Sequence, residues 1–149
     1  MKVLVVYESK FGNTERVAQA IASGLKGNGL AEVVLKRAKE ASQNDFKDSE
    51  AWVIGSPTHI TGASPQARKA MRIAVRSGAE GKVATGFDTR FPKIDMGAIE
   101  ELRRMLRTGG VNVILEPKAF IVQGYKGPLA QGEEEKARRF GEQIASVLR

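Results

Sequence analysis

This 149-residue chain is predicted to be a doubly wound α/β protein, with a five-stranded parallel sheet in the order 2-1-3-4-5 and helices on both faces, a three-layer αβα stack. Short β-branched apolar runs alternate with longer stretches whose apolar residues recur every three or four positions, as buried strands and amphipathic helices do. The links are short, and right-handed crossovers leave doubly wound orders as the main arrangements open to such an alternation. The length and the 42% apolar content suit one domain over residues 1–149 with a substantial core.

The elements follow in order. Residues 3–6 are a continuous apolar run, as expected of a strand buried on both faces. Val17, Ile21 and Leu25 step by four along a helix ending near Gly27, Asn28 and Gly29. A second strand is expected over 32–35, then at most a short helix around 44–47. Residues 51–55 make a third strand, closed by Ser56 and Pro57. Ser64 and Pro65 read as an N-cap with proline at the first helical position. Their helix carries Ala67, Met71 and Val75 and stops by Gly78. The fourth strand spans 82–87, with a loop over 88–92. Ile99, Leu102 and Leu106 mark a helix that Gly109 and Gly110 terminate. The last strand is expected over 111–115 and 119–122, interrupted at Glu116 and Pro117. Glu133, Glu134 and Glu135 suit the first turn of the final helix, where its dipole favours acids. Phe140, Ile144 and Leu148 form its core stripe.

Composition removes much chemistry. With no cysteine, disulfides, thiolate zinc sites, iron–sulfur clusters and thiol catalysis are excluded. His59 is the sole histidine, so any histidine-based metal site or Ser-His-Asp triad would have to use it. The opening apolar run is too short for a signal peptide or a membrane span, and a soluble, cytoplasmic protein is expected. Lysine and arginine total 24 against 17 acids, a net charge of +7 spread evenly along the chain. That balance favours acidic partners or phosphorylated ligands. Nucleic-acid binding is not expected, because basic and aromatic residues are not interleaved and no recognised module is present.

Three loops leave the carboxyl ends of strands 1, 3 and 4, the edge where open parallel sheets bind ligands. The first holds Ser9, Lys10, Phe11, Gly12, Asn13 and Thr14. It leads into a helix start, whose free N–H groups and dipole attract phosphate. The ending of a Walker A loop is missing, which suits a small terminal phosphate better than a magnesium-bound triphosphate. The same residues equally suit an ordinary helix cap, with Gly12 or Asn13 as N-cap. The second loop runs from Ser56 through Pro57, Thr58, His59, Ile60 and Thr61 to Gly62. The third holds Asp88, Thr89, Arg90, Phe91 and Pro92.

The opening Val-Leu-Val-Val-Tyr-Glu-Ser-Lys-Phe-Gly-Asn-Thr-Glu-Arg-Val-Ala closely resembles flavodoxins. Gly55-Ser56-Pro57-Thr58, Phe87-Asp88-Thr89-Arg90 and the stretch from Gly127-Pro128-Leu129 to Gly132-Glu133 are similar to short-chain members of that family. The resemblance covers nearly the whole chain. It implies FMN held without a covalent link and electrons shuttled between partner enzymes. Ser9, Lys10, Phe11, Gly12, Asn13 and Thr14 would hold the FMN phosphate. Pro57, Thr58, His59, Ile60, Thr61 and Gly62 would form one wall of the ring pocket. Thr85, Gly86, Phe87, Asp88, Thr89, Arg90 and Phe91 would form the opposite wall.

Two departures carry expectations. Many flavodoxins clamp the ring between Trp and Tyr, whereas these loops offer His59 or Ile60 on one side and Phe87 or Phe91 on the other, with Trp52 assigned to the core. Weaker FMN binding follows. Typical flavodoxins are also acidic, so a basic one should have a less negative potential for its fully reducing step. Arg90 is expected beside the flavin, paired with Asp88 or in solvent, and Tyr125, in the loop after the last strand, is a further candidate for the site. Arg68, Arg72 and Arg76 step by four along the third helix, as a solvated face or a dock for an acidic redox partner. Two other functions stay open: an FMN-dependent enzyme acting on a quinone or porphyrinogen, and a flavin-free interaction module.

Overall fold

In the computed structural model, which describes residues 1–27, 29 and 32–149, the first apolar run forms β1 (Lys2–Tyr7). Its residues divide alternately between two cores. Val3, Val5 and Tyr7 face one side of the sheet, and Leu4 and Val6 face the other, so no position in the run can be polar. β2 (Glu32–Arg37) and β3 (Ala51–His59) pair in parallel with the two edges of β1. β3 pairs in turn with β5 (Val83–Arg90), leaving β4 (Gly62–Ala63) as a short antiparallel return against the end of β3.

The last strand comes in two pieces. β6 (Asn112–Val113) pairs with Val83 and Ala84, and β7 (Lys118–Ile121) pairs with β5 from Phe87 to Arg90. Between them Pro117 has no N–H to donate, and Thr85 Oγ1 donates to the Leu115 carbonyl at 2.8 Å. The path β2-β1-β3-β5-β6 is the expected 2-1-3-4-5 order once β4 and the split strand are allowed for.

Helices α1 (Asn13–Lys26) and α5 (Glu133–Leu148) cover the Val3 face. They approach so closely that a Cβ on Gly24 would strike the Arg138 carbonyl, and one on Gly141 the Ile21 carbonyl. The opposite face carries α2 (Gln43–Lys47), α3 (Pro65–Ser77) and α4 (Ala98–Thr108). Ser42 and Asp45 close a reciprocal capping box on α2, and the Ser64 hydroxyl caps α3 by accepting from the Ala67 N–H at 3.3 Å. Trp52 is fully buried, its indole N–H donating to the Phe46 carbonyl at 3.0 Å. The expected helix end at Asn28 lies outside the described residues.

Two strands run past the points where polar residues suggest loops. β3 continues to His59 because Ser56 and Pro57 still pair with Asp88 and Thr89, and Thr58 and His59 pair with β4. β5 continues to Arg90 because β7 lies alongside it. No helix of the described residues is long and apolar enough to cross a membrane.

Candidate functional site

At the carboxyl ends of β1, β3 and β5 lies a cleft of about 430 Å³, within the roughly 300–1,000 Å³ usual for small-molecule and cofactor sites. The first loop forms one end. Ser9 Oγ accepts from the N–H groups of Gly12 at 3.1 Å and Glu15 at 3.2 Å, folding the loop into the start of α1. Gly12 is the N-cap, with φ 94° and no side-chain cap. A side chain in that conformation costs about 1–2 kcal/mol, which accounts for the glycine. Asn13 and Thr14 line the cleft. Thr14 Oγ1 lies 2.8 Å from Thr89 Oγ1, tying the first loop to the third.

The second wall is the β3–β4 hairpin. Pro57, Thr58, His59 and Ile60 line the cleft. Ile60 turns the chain at φ 64° and is 85% exposed, an apolar side chain held out at the rim. The hairpin is fastened at several points. Thr58 Oγ1 donates to Asp88 Oδ2 at 3.1 Å and accepts from the Ala98 N–H at 3.2 Å. The Ala63 N–H donates to Glu101 Oε1 at 2.9 Å, and Arg68 grips the same carboxylate through Nε and Nη2 at 2.6 and 3.1 Å. Burial pushes the Glu101 carboxyl up, but Arg68 and the Ala63 N–H outweigh it and hold the group below its usual range. Thr61 and Gly62 do not line the cleft; Gly62 backs onto Glu101 and Arg68 instead.

The third wall is shorter than the resemblance implies. Thr89, Arg90 and Phe91 line the cleft, whereas Thr85, Gly86 and Phe87 lie in the buried middle of β5. Phe87 is not available to a ring in the cleft. It fills the space beneath Gly55, where any Cβ would strike its ring, and meets Phe120 edge-on at 6.4 Å between centroids. Gly86 is packed against the Ile54 carbonyl and Leu102.

Asp88 is also fully buried, behind the wall. Burial pushes its carboxyl up, against the pull of Arg90, the Ile99 N–H and Thr58. Arg90, only 7% exposed, bonds Asp88, Glu100 Oε1 at 3.1 Å and the Ile94 carbonyl at 3.2 Å. Its charge is therefore spent within the protein, and of the three placements open to it Arg90 takes the pairing with Asp88.

Tyr125 supplies a flat surface at the first loop. Its ring meets Phe11 edge-on at 5.0 Å, Lys10 Nζ donates to its hydroxyl at 3.3 Å, and Lys126 lies 5.9 Å over the Phe11 ring. Glu8, Gln66, Ile94 and Val122 also line the cleft and were not foreseen. Glu8 and Val122 directly follow β1 and β7, so the rule that ligands gather at strand ends was the available signal.

Fold and site together define a class: doubly wound α/β proteins with a cofactor-sized cleft against a glycine-capped helix start. The flavodoxin family model matches residues 5–90, and the chain belongs to the flavodoxin family, the electron-transfer proteins that work through a bound flavin. It is 28% identical over 158 positions to a flavodoxin of Clostridium saccharobutylicum, spanning 100% of this chain and 98% of that protein. A flavodoxin from the domain Archaea shares the fold with a TM-score of 0.85 at 24% identity, over 100% of both chains. Oxidised flavodoxin 1 from Bacillus cereus gives 0.81 at 19% identity, over 98% of each. At these identities the two structures speak for the fold alone.

Proposed function

We propose that this chain binds FMN without a covalent link in the cleft and carries electrons between redox partner proteins. In this reading one domain, residues 1–149, suffices, and it works in the cytoplasm. The observation that carries it is the glycine-capped start of α1, with Asn13 and Thr14 in its first turn, opening into a cleft walled by apolar and aromatic side chains. When bound, FMN supplies a ring that accepts and releases electrons, chemistry no side chain here provides.

The residues divide the work. The hydroxyl hydrogen of Ser9 has no acceptor among the described residues, because its oxygen is occupied by two N–H groups, and it is free to donate to a phosphate. Thr14, Asn13 and the first-turn N–H groups add donors, and the α1 dipole adds positive potential. Lys10 and Phe11 close that end, with Gly12 allowing the backbone to pass close by. Pro57, Thr58, His59 and Ile60 pack one face of the ring and exclude water. Phe91 and Tyr125 give the flat surfaces on the far side, in place of the buried Phe87. Thr89 and Arg90 back the pocket, and Asp88 positions Thr58 and Arg90 from behind. The net charge of +7 favours partners with acidic faces.

Titration of the protein into free FMN, followed by flavin fluorescence with riboflavin as control, tests this. Saturable quenching of FMN with much weaker quenching of riboflavin is expected. Equal, weak quenching of both would reduce the first loop to a helix cap and remove the redox reading.

A further inference from the structure

A second concavity lies away from the cleft, between the C-terminal halves of α3 and α4. It measures about 420 Å³. Val75, Met105 and Gly109 form an apolar floor, and Arg72, Arg76 and Arg104 stand exposed around it. Glycine at position 109 keeps it open, because a Cβ there would press on both Val75 methyls.

The charges around this groove are unbalanced for a specific reason. α3 carries Arg68, Lys69, Arg72 and Arg76 and no acid. The acids of α4 are already engaged: Glu100 binds Arg90, and Glu101 binds Arg68. Glu116 takes Arg103 and Arg107. Arg72 and Arg76 form no ion pair among the described residues, and Arg104 shares a Glu101 that Arg68 has already bonded. Three guanidinium groups thus ring an apolar floor with no carboxylate of their own.

We infer that this groove docks an acidic amphipathic helix of a partner protein, with one aliphatic side chain on the Val75–Met105 floor and carboxylates on Arg72, Arg76 and Arg104. The inference rests on the carrier reading for the existence of a partner, and on the groove for its chemistry. The floor is recessed between arginines, so it receives a protruding side chain rather than inserting into a lipid surface. No aromatic ring lines it to stack on a base. Arg72 and Arg76 lie one helical turn apart, the spacing of carboxylates four residues apart on a facing helix. Arg72 is about 9 Å of helix from Gln66 on the cleft edge, and Arg76 farther still, so an occupant of the groove leaves the mouth of the cleft uncovered.

The probe is a fluorescein-labelled synthetic helix carrying one leucine flanked by glutamates, titrated with the FMN-loaded protein and read by anisotropy. A peptide with serine for leucine and phosphatidylglycerol vesicles run alongside. Saturable binding is expected that weakens with salt, with the serine peptide, and by about tenfold in Arg72→Glu/Arg76→Glu. Equal binding of the serine peptide, equal binding by the double variant, no binding at millimolar peptide, or capture by vesicles alone would overturn the inference. FMN quenching, measured on the same samples, separates the two readings. Its loss with peptide binding intact removes the carrier and keeps the groove; the reverse removes the groove alone.

Discussion

Arg90 reaches back along its own strand to grip Asp88, placing Nη2 2.5 Å from Oδ2 and Nε 3.1 Å from Oδ1. The pair is buried beneath the cleft, and Asp88 also accepts from Thr58 and the Ile99 N–H. Removing Arg90 strands the fully buried Asp88 charge away from water, which costs about 3–5 kcal/mol, whereas removing Asp88 leaves Arg90 its Glu100 partner. Arg90→Ala should lose about that much in urea unfolding and Asp88→Ala less, while Asp88→Ala should also weaken FMN binding, because Thr58 loses its acceptor. Asp88→Ala/Arg90→Ala should be less damaged than the two single losses added together. A double variant as unstable as that sum would show that the pair is not coupled.

Glu101 ties the β3–β4 hairpin to α3 and α4, and its carboxyl is held below its ordinary range. A group depressed in the folded state stabilises above its unfolded pKa, about 4.3 for glutamate, and loses that contribution as pH falls through the folded value. Glu101→Gln should cost about 1 kcal/mol at neutral pH, since Arg68 is partly exposed. It should also flatten the acid limb of the stability curve. Denaturation at pH 7 and pH 3.5 checks this, and an unchanged difference between wild type and variant at the two values would count against it.

Two glycines separate strain from collision. Gly12 has open space around it and φ 94°, so Gly12→Ala should cost about 1–2 kcal/mol through backbone strain alone. Gly55 lies directly over the Phe87 ring, and Gly55→Ala should cost about 1–3 kcal/mol by overpacking. Phe87→Leu should relieve part of the second loss and none of the first, as thermal unfolding of the combined variants will tell.

Lys10 and Lys126 stand beside the Phe11 and Tyr125 rings at the first loop, where positive charge favours a more negative ligand. The potential of the fully reducing step should therefore be less negative than in acidic flavodoxins. Lys10→Glu/Lys126→Glu should make it more negative. Potentiometric titration decides; a wild-type potential as low as the acidic type, or one that does not move in the variant, would refute the argument.

The strand order and four of the five α-helices could be read from apolar spacing, because Val3 to Val6 and the four-residue steps of α1 and α3 have one reasonable interpretation each. The ends of β3 and β5 could not. Ser56, Asp88, Thr89 and Arg90 look like loop residues, and they are buried only because each finds a partner along its own strand or on another element. The turn of the first loop into the start of α1 was legible because its hydrogen bonds are local, Ser9 to the N–H groups of Gly12 and Glu15. Phe87 was misplaced for the opposite reason: whether an aromatic near a strand end faces cleft or core depends on what lies beneath it, here the bare Cα of Gly55.

The paired glycines of α1 and α5 also say something about how the protein is made. Ile21 and Leu25 have their cover on α5, more than a hundred residues downstream. During synthesis that flank of the nascent sheet stays greasy and unsealed until α5 has left the ribosome. α5 completes the cover on this face of the sheet, and a chain stalled before it is one that chaperones should hold.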